Sequence, residues 1–541
     1  MQNEKYEPFN LGTYDYFAQK VEAYREKTAI SYYGRSISYG ELLSDVDLTA
    51  AALSAMGIGR GDVVIVALPS IPEAVSLFYA INKVGGIYCG MDCRLAGDEI
   101  QEVCRQMHPK LCFSSDFQLQ EFKNIDDVPV VCVSFAKTFY ALATAASFIA
   151  DLFKGRKHLI SQKQNIITYA TFIAQGNTDA VAYDPVGGDD VCAYFYTSGT
   201  TKGKKCVVLT NENINTAVAQ YAHDQQGLAD VGRFCNIMPL FTCYGITLGT
   251  HLPLTIGLEI RMIPFFFGKR MKQLLIKEKP GYIITVPAHW EHFIGDRFGG
   301  VDLSFLKGII VGGDKLDDES ENRLNDILRT HNSTAKVMRG YGLTEASTVV
   351  TTQPPHTPKG SVGCALCWSE IGIFDPETGA RLAPMEKGEI CVKGPNLCQG
   401  YYQDEEATRA LLHTHEDGTL WLHSGDIGWL NEDGFLFFCE RIKRIYVRFD
   451  GTKISPFAIE QVLTKCPDVS RCLIVAVDDP HHVHGQCAKA RIVLKSTSEE
   501  AKANVKKYIR DNLPGFMRPA QVEFVDRLPV TRNGKLDYFA E

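Results

Sequence analysis

Apolar positions in the first ninety residues switch between runs of strand length and helix-like spacing, which predicts strands and helices in turn. Asp62-Val63-Val64-Ile65-Val66-Ala67-Leu68 is a compact apolar run, and Gly85-Gly86-Ile87-Tyr88 predicts a second strand. Tyr39-Gly40-Glu41-Leu42-Leu43 opens a helix running through Ala50, Leu53 and Met56, and Pro72-Glu73-Ala74-Val75 opens another. Strand–helix alternation predicts an α/β fold with a mostly parallel sheet covered on both faces.

A different pattern follows. Phe135, Phe139, Leu142, Ala146, Ile149 and Phe153 recur in steps of four and three, so one face of a helix is apolar, and Lys154, Arg156, Lys157 and His158 come directly after. Two readings stay open for 135–157: a helix packed on the protein's own core, or one docked peripherally on a membrane, with its basic residues at anionic headgroups. Small and polar residues argue against a membrane span. Near Arg441 the texture changes again, with Arg441-Ile442-Lys443-Arg444 ahead of Gly451 and Pro456. This predicts a boundary, with one domain over 1–442 and a smaller one over 443–541.

At 541 residues the chain exceeds one core. A net charge of -8 leaves no basic excess for binding nucleic acid generally. The polar opening lacks the apolar stretch of a secretory signal, and the 17 scattered cysteines are odd in number. Reduced thiols in a cytoplasmic protein are the expectation. Cys364-x-x-Cys367 has no second pair at zinc-ribbon spacing.

The chemistry concentrates in four segments. Tyr196-Thr197-Ser198-Gly199-Thr200-Thr201-Lys202-Gly203-Lys204-Lys205 lies between two apolar runs, Val191–Phe195 and Cys206–Leu209. Hydroxyls, bare amides and ammonium groups together suit a polyphosphate. Three residues rather than four separate the glycines, and Lys204 is followed by Lys205, so this is not the common nucleotide P-loop. Arg339-Gly340-Tyr341-Gly342-Leu343-Thr344-Glu345 offers a flat ring, a hydroxyl donor and hard oxygens for Mg2+, or else a helix start capped by Thr344. Trp421-Leu422-His423-Ser424-Gly425-Asp426 puts an acid on a glycine turn. Asn533-Gly534-Lys535 is a tight turn projecting a lysine close to the C-terminus.

In this order the four segments resemble the adenylate-forming superfamily of acyl-CoA synthetases, peptide-synthetase adenylation domains and beetle luciferases, over Tyr39 to Lys535. Met238-Pro239-Leu240-Phe241, Val311-Gly312-Gly313-Asp314, Gly388-Glu389 and Leu513-Pro514-Gly515 agree with it. The resemblance implies a large domain of layered sheets with a β subdomain, and a small mobile α+β domain. It implies attack of a carboxylate on the α-phosphorus of MgATP, followed by attack of a thiol on the acyl-adenylate. On that resemblance Thr197, Ser198, Gly199, Thr200, Thr201 and Lys205 hold phosphates. Tyr341 lies against adenine, Thr344 touches the α-phosphate, Glu345 binds Mg2+, and Asp426 and Arg441 take the ribose hydroxyls. The same resemblance implies that Phe241, Thr242, Tyr244, Gly245, Gly313 and Asp314 line the substrate pocket and that Lys443 is the hinge. Lys535 would offset the repulsion between carboxylate and triphosphate.

The chain departs from the family pattern. Lys202 and Cys206 replace glycines, Lys204 a proline, Glu440 a glycine and Arg444 an acid. Phe241–Gly245 contains no acid to meet an amino acid's ammonium, which favours an apolar carboxylic acid such as a fatty acid. CoA is the expected acceptor, with a carrier-protein phosphopantetheine as the alternative. A non-catalytic nucleotide- or ligand-binding protein is the reading from another class, against which Glu345 and Lys535 speak.

Overall fold

The computed structural model describes residues 5–134, 163–177, 183–197, 205–225, 227–264, 270–290, 293–294, 301–479, 485–530 and 536–538. Two sheets dominate the N-terminal lobe. In the eight-stranded one, Val63–Ala67 lies between Ile87–Gly90 and Leu111–Ser115, all parallel. Val191–Tyr196 continues it in parallel, and Cys206–Thr210 turns back antiparallel. In the seven-stranded sheet Arg233–Asn236 sits between Glu259–Met262 and Tyr282–Thr285, with Gly308–Val311 and Lys336–Arg339 parallel beyond them. Parallel strands bury both faces, which is why Val63–Ala67 and Gly308–Val311 read as unbroken apolar runs.

Buried aromatics join the two sheets. Phe17 stacks on Tyr79 at 4.2 Å, while the Tyr39 hydroxyl donates to the carbonyls of Leu254 and Leu258, and that of Tyr88 to Leu240. The Tyr79 hydroxyl meets His251 Nδ1 at 3.0 Å, and His251 Nε2 meets the side-chain Oδ1 of Asn215 at 3.1 Å. Burial pushes the His251 pKa down to about 3, so the ring is neutral and both its nitrogens are satisfied.

Helices begin where the residues predict. Ser38 and Glu41 form a reciprocal cap for Tyr39–Ala55, and Pro72 opens Pro72–Lys83. The predicted strand at Gly85 starts later, at Ile87: Gly85 takes φ +76° and ends the preceding helix instead. The segment 135–157 lies outside the described residues, and no described helix is long and apolar enough to cross a membrane.

An antiparallel five-stranded sheet follows, built from Glu370–Phe374, Gly388–Lys393, Leu412–Thr414, Leu420–Leu430 and Leu436–Arg441. Past it a separate core forms. Val469–Asp478 pairs antiparallel with Gln486–Leu494, which runs parallel to Gln521–Phe524. Helices Pro456–Leu463 and Glu499–Asn512 cover that sheet through Ile459, Leu463, Val505 and Ile509. The architecture is α/β with a large N-terminal lobe and a small α+β C-terminal one.

Candidate active site

Three of the expected site segments leave the carboxyl ends of parallel strands, where an open α/β sheet leaves a crevice. Lys336–Arg339 leads into Gly340-Tyr341, Gly308–Val311 into Gly312-Gly313-Asp314, and Val191–Tyr196 into Thr197.

Asp426 lies on the long strand Leu420–Leu430 directly opposite Arg441. Its side chain is almost wholly buried. The Tyr341 hydroxyl donates to Oδ2 at 2.9 Å. Arg441 Nε lies 3.3 Å from Oδ1 but out of line for a hydrogen bond, so that buried oxygen lacks a hydrogen-bond donor among the described residues. Burial raises the Asp426 carboxyl above its ordinary range, opposed by the charge of Arg441. A buried acceptor without a donor is costly unless a ligand supplies one. The turn before it is held firmly: Gly425 N–H donates to Glu389 at 2.9 Å, and the other oxygen of Glu389 meets His423 Nδ1 at 2.9 Å. The Tyr341 ring is buried with Phe438 beside it at 6.0 Å, and its own N–H donates to Thr351 Oγ1.

Thr344–Ala346 makes one tight helical turn. Thr344 is not its cap, since Leu343 precedes the turn and no side chain caps it. Glu345 accepts a hydrogen bond from the Tyr401 hydroxyl at 2.7 Å. The same Tyr401 ring carries the Lys205 ammonium at 4.4 Å, so the glycine-rich segment, Tyr401 and Glu345 meet. Thr197 N–H donates to the Lys205 carbonyl at 2.9 Å, closing the segment's two ends; Ser198, Gly199, Thr200 and Thr201 lie outside the described residues. Behind Glu345 the backbone is strained, with Ser347 at φ +53° and Thr348 at φ +97°. The Thr348 hydroxyl donates to Cys243 Sγ at 2.8 Å. Burial pushes the Cys243 thiol up to about 11 and that of Cys398, whose N–H donates to the Glu345 carbonyl, up to about 12.

Phe241 is buried. The Thr242 hydroxyl donates to the Pro239 carbonyl at 2.7 Å and caps the next turn by accepting from Gly245 N–H, so it is spent locally. Tyr244 reaches the Thr285 carbonyl at 3.4 Å and runs beside Gly312. Gly313 takes φ +77°. The Asp314 carboxylate, expected to line the pocket, accepts from Leu536 N–H at 2.8 Å and from the Tyr538 hydroxyl at 3.0 Å. The chain that follows Lys535 is therefore docked on the large lobe. Lys535 itself lies outside the described residues. Lys443 is exposed, one residue after Ile442 and one before the buried Arg444. The thiols of Cys364 and Cys367 point to different carbonyls, those of Thr352 and Gln220, rather than toward each other.

Sequence reasoning missed Tyr401 and Tyr538. Tyr401 follows Gly400, which takes φ +123°, the same glycine–aromatic pairing that singled out Tyr341. Nothing near Tyr538 signals its partner, which is 224 residues away.

Comparison with known proteins identifies the family. Residues 17–402 match the AMP-binding enzyme family and 458–535 its C-terminal domain. The chain is 29% identical over 524 residues to a long-chain-fatty-acid–CoA ligase of Bacillus subtilis (strain 168), covering 94% of this chain and 90% of that protein. It is 25% identical over 547 residues to 4-coumarate-CoA ligase 1 of Narcissus pseudonarcissus, covering 98% and 93%. The structure of ATP-bound MatB from Rhodopseudomonas palustris superposes with a TM-score of 0.80 at 22% identity, covering 98% of this chain and 97% of that one. With two family domains spanning most of its length, the chain belongs to the AMP-binding, adenylate-forming enzymes.

Proposed function

We propose that this protein joins an apolar carboxylic acid, a fatty acid, to CoA while cleaving ATP to AMP and pyrophosphate. One observation carries the reading: Asp426, with a buried oxygen awaiting a donor, lies beside Tyr341 and Arg441 in the lobe that also joins Glu345 to Lys205 through Tyr401.

In the first step a carboxylate oxygen bonds to the α-phosphorus and the bond to the β-phosphate breaks, releasing pyrophosphate. Asp426 and Arg441 orient the ribose, Tyr341 takes the adenine, and Lys205 with Thr197, Ser198, Gly199, Thr200 and Thr201 holds the phosphates. Thr344 has no hydrogen bond to another side chain among the described residues and donates to the α-phosphate. Glu345 fits Mg2+, since one carboxylate oxygen is fixed by Tyr401 and the other has no donor among the described residues. When bound, that ion neutralises phosphate charge. Lys535 is the cation assigned to offset the repulsion between the two anions. In the second step the CoA sulfur bonds to the acyl carbon and AMP leaves. We place the lobe boundary at 442/443 and the swivel at Lys443, between Arg441, paired with Asp426, and Arg444, paired with Glu460.

The fatty-acid assignment is supported by the acid-free Phe241–Gly245 segment, by the Asp314 carboxylate being already engaged by Leu536 and Tyr538, and by the Bacillus subtilis relative. A panel of carboxylic acids (dodecanoic, hexadecanoic, benzoic, 4-coumaric) assayed for AMP release with and without CoA tests it. Thioester formation with the aliphatic acids is expected. Preference for the aromatic acids would overturn the fatty-acid assignment, and acylation of a phosphopantetheinylated carrier protein in place of CoA would overturn the acceptor.

A further inference from the structure

Asp314 collects three donors on one carboxylate: Leu536 N–H at 2.8 Å, the Tyr538 hydroxyl at 3.0 Å and Lys315 N–H at 2.8 Å. The first two come from the end of the chain, where Val530 and Leu536 pair as an antiparallel bridge and Asp537 N–H donates to the Pro529 carbonyl at 3.0 Å. The ring of Tyr538 lies against the Arg444 guanidinium, 4.3 Å from its centroid. Arg444 is buried and fixed within the C-terminal lobe, to Glu460 at 2.5 Å and the Ile474 carbonyl at 3.2 Å. Tyr538 thus has its ring on the small lobe and its hydroxyl on the large one.

Neighbouring contacts run the same way. Lys315 places its ammonium 3.5 Å from the centroid of Phe457, on the small lobe's first helix. Glu440, at the end of the large lobe's last strand, accepts from the Ser455 hydroxyl and from Phe457 N–H at the start of that helix. Glu440 and Arg444 are both departures from the family pattern, and both lie at the contact between the lobes.

We propose that Asp314, Tyr538 and Arg444 form a clasp that docks the C-terminal lobe for the first half-reaction, making Asp314 and Tyr538 positioning residues for adenylate formation. The inference rests on the proposed function through Lys535, which immediately precedes Leu536 in the sequence. Two donors on a charged acceptor hold the chain next to that lysine more tightly than neutral pairs would. Once the lobe turns for the second half-reaction, the clasp is open and contributes nothing to thioester formation. Its loss therefore falls on one step alone.

The test uses the full-length protein and its Tyr538→Phe, Asp314→Asn and doubly substituted variants, with Lys535→Ala as the reference for a lost first step. Dodecanoate-dependent exchange of labelled pyrophosphate into ATP reads the first half-reaction, and transfer from supplied dodecanoyl-adenylate to CoA reads the second. Tyr538→Phe is expected to slow the exchange about tenfold and Asp314→Asn more, with transfer unchanged within about twofold. The double variant is expected to match Asp314→Asn, since both substitutions remove one shared hydrogen bond. Equal loss of both half-reactions, or loss of neither, overturns the assignment. Amide hydrogen exchange over 536–538 without substrates reads the clasp independently of catalysis. Faster exchange in Asp314→Asn is expected, and unchanged exchange rejects the clasp itself. If the unsubstituted protein supports no pyrophosphate exchange with any acid, the proposed function falls while the hydrogen-exchange result still decides the clasp.

Discussion

Asp426 shows how a single residue carries a cost that the fold alone does not offset. Its Oδ1 is buried without a hydrogen-bond donor, and its carboxyl is raised because burial penalises the charge. A raised carboxyl costs stability above the pKa of the unfolded chain, where it must be charged inside the protein. Asp426→Asn is therefore expected to melt no lower than the unsubstituted protein while its KM for ATP rises about 10- to 100-fold, the value of a hydrogen bond to a charged group. Acidification should protonate the acceptor before an ordinary aspartate titrates near 3.9, so ATP affinity should fall early as pH drops. In the asparagine variant that pH dependence should disappear. Calorimetric ATP titration across pH, alongside thermal melts, measures both effects. An asparagine variant that kept full ATP affinity would remove Asp426 from the site.

At the scale of elements, the loop from Gly340 to Thr348 does the positioning. A methyl at Gly342 would lie 1.7 Å from the Thr348 carbonyl oxygen, in a segment already at positive φ for two consecutive non-glycine residues. Gly342→Ala is expected to lower stability by about 2 kcal/mol or more and to abolish adenylate formation by moving Tyr341 and Glu345 apart. A thermal melt and pyrophosphate exchange check it; near-normal exchange would mean that the loop tolerates displacement. This loop was legible in the sequence because glycines beside a tyrosine and an acid mark a backbone under constraint. Buried parallel strands were legible as well, since Val63–Ala67 is apolar on both faces. Tyr401 was not: its strand is two residues long and supplies no periodicity, so only its contacts with Lys205 and Glu345 give it meaning. The strand expected at Gly85 slipped because that glycine serves the helix before it.

For the whole molecule, the two-lobed plan was readable from the change in texture near Arg441, but the contacts between lobes were not. Asp314 and Tyr538 are far apart in the chain, and no local pattern distinguishes an acid that lines a pocket from one that accepts a distant hydroxyl. A second whole-molecule property follows from the cysteines. None of the 17 is in a disulfide, and most are buried, including Cys243 and Cys398 beside Glu345. An acyl-adenylate is a strong acylating agent, and a thiolate within reach would capture it. Burial keeps both of these thiols protonated, and a thiol is a poor nucleophile compared with its anion. Incubation with ATP and a carboxylic acid in the absence of CoA should leave the intact mass of the protein unchanged, and an acyl adduct on Cys243 or Cys398 would contradict this. An unchanged mass would mean that the protein holds an activated intermediate among its own sulfhydryls without self-modification, surrendering the group only to a sulfur that arrives from outside.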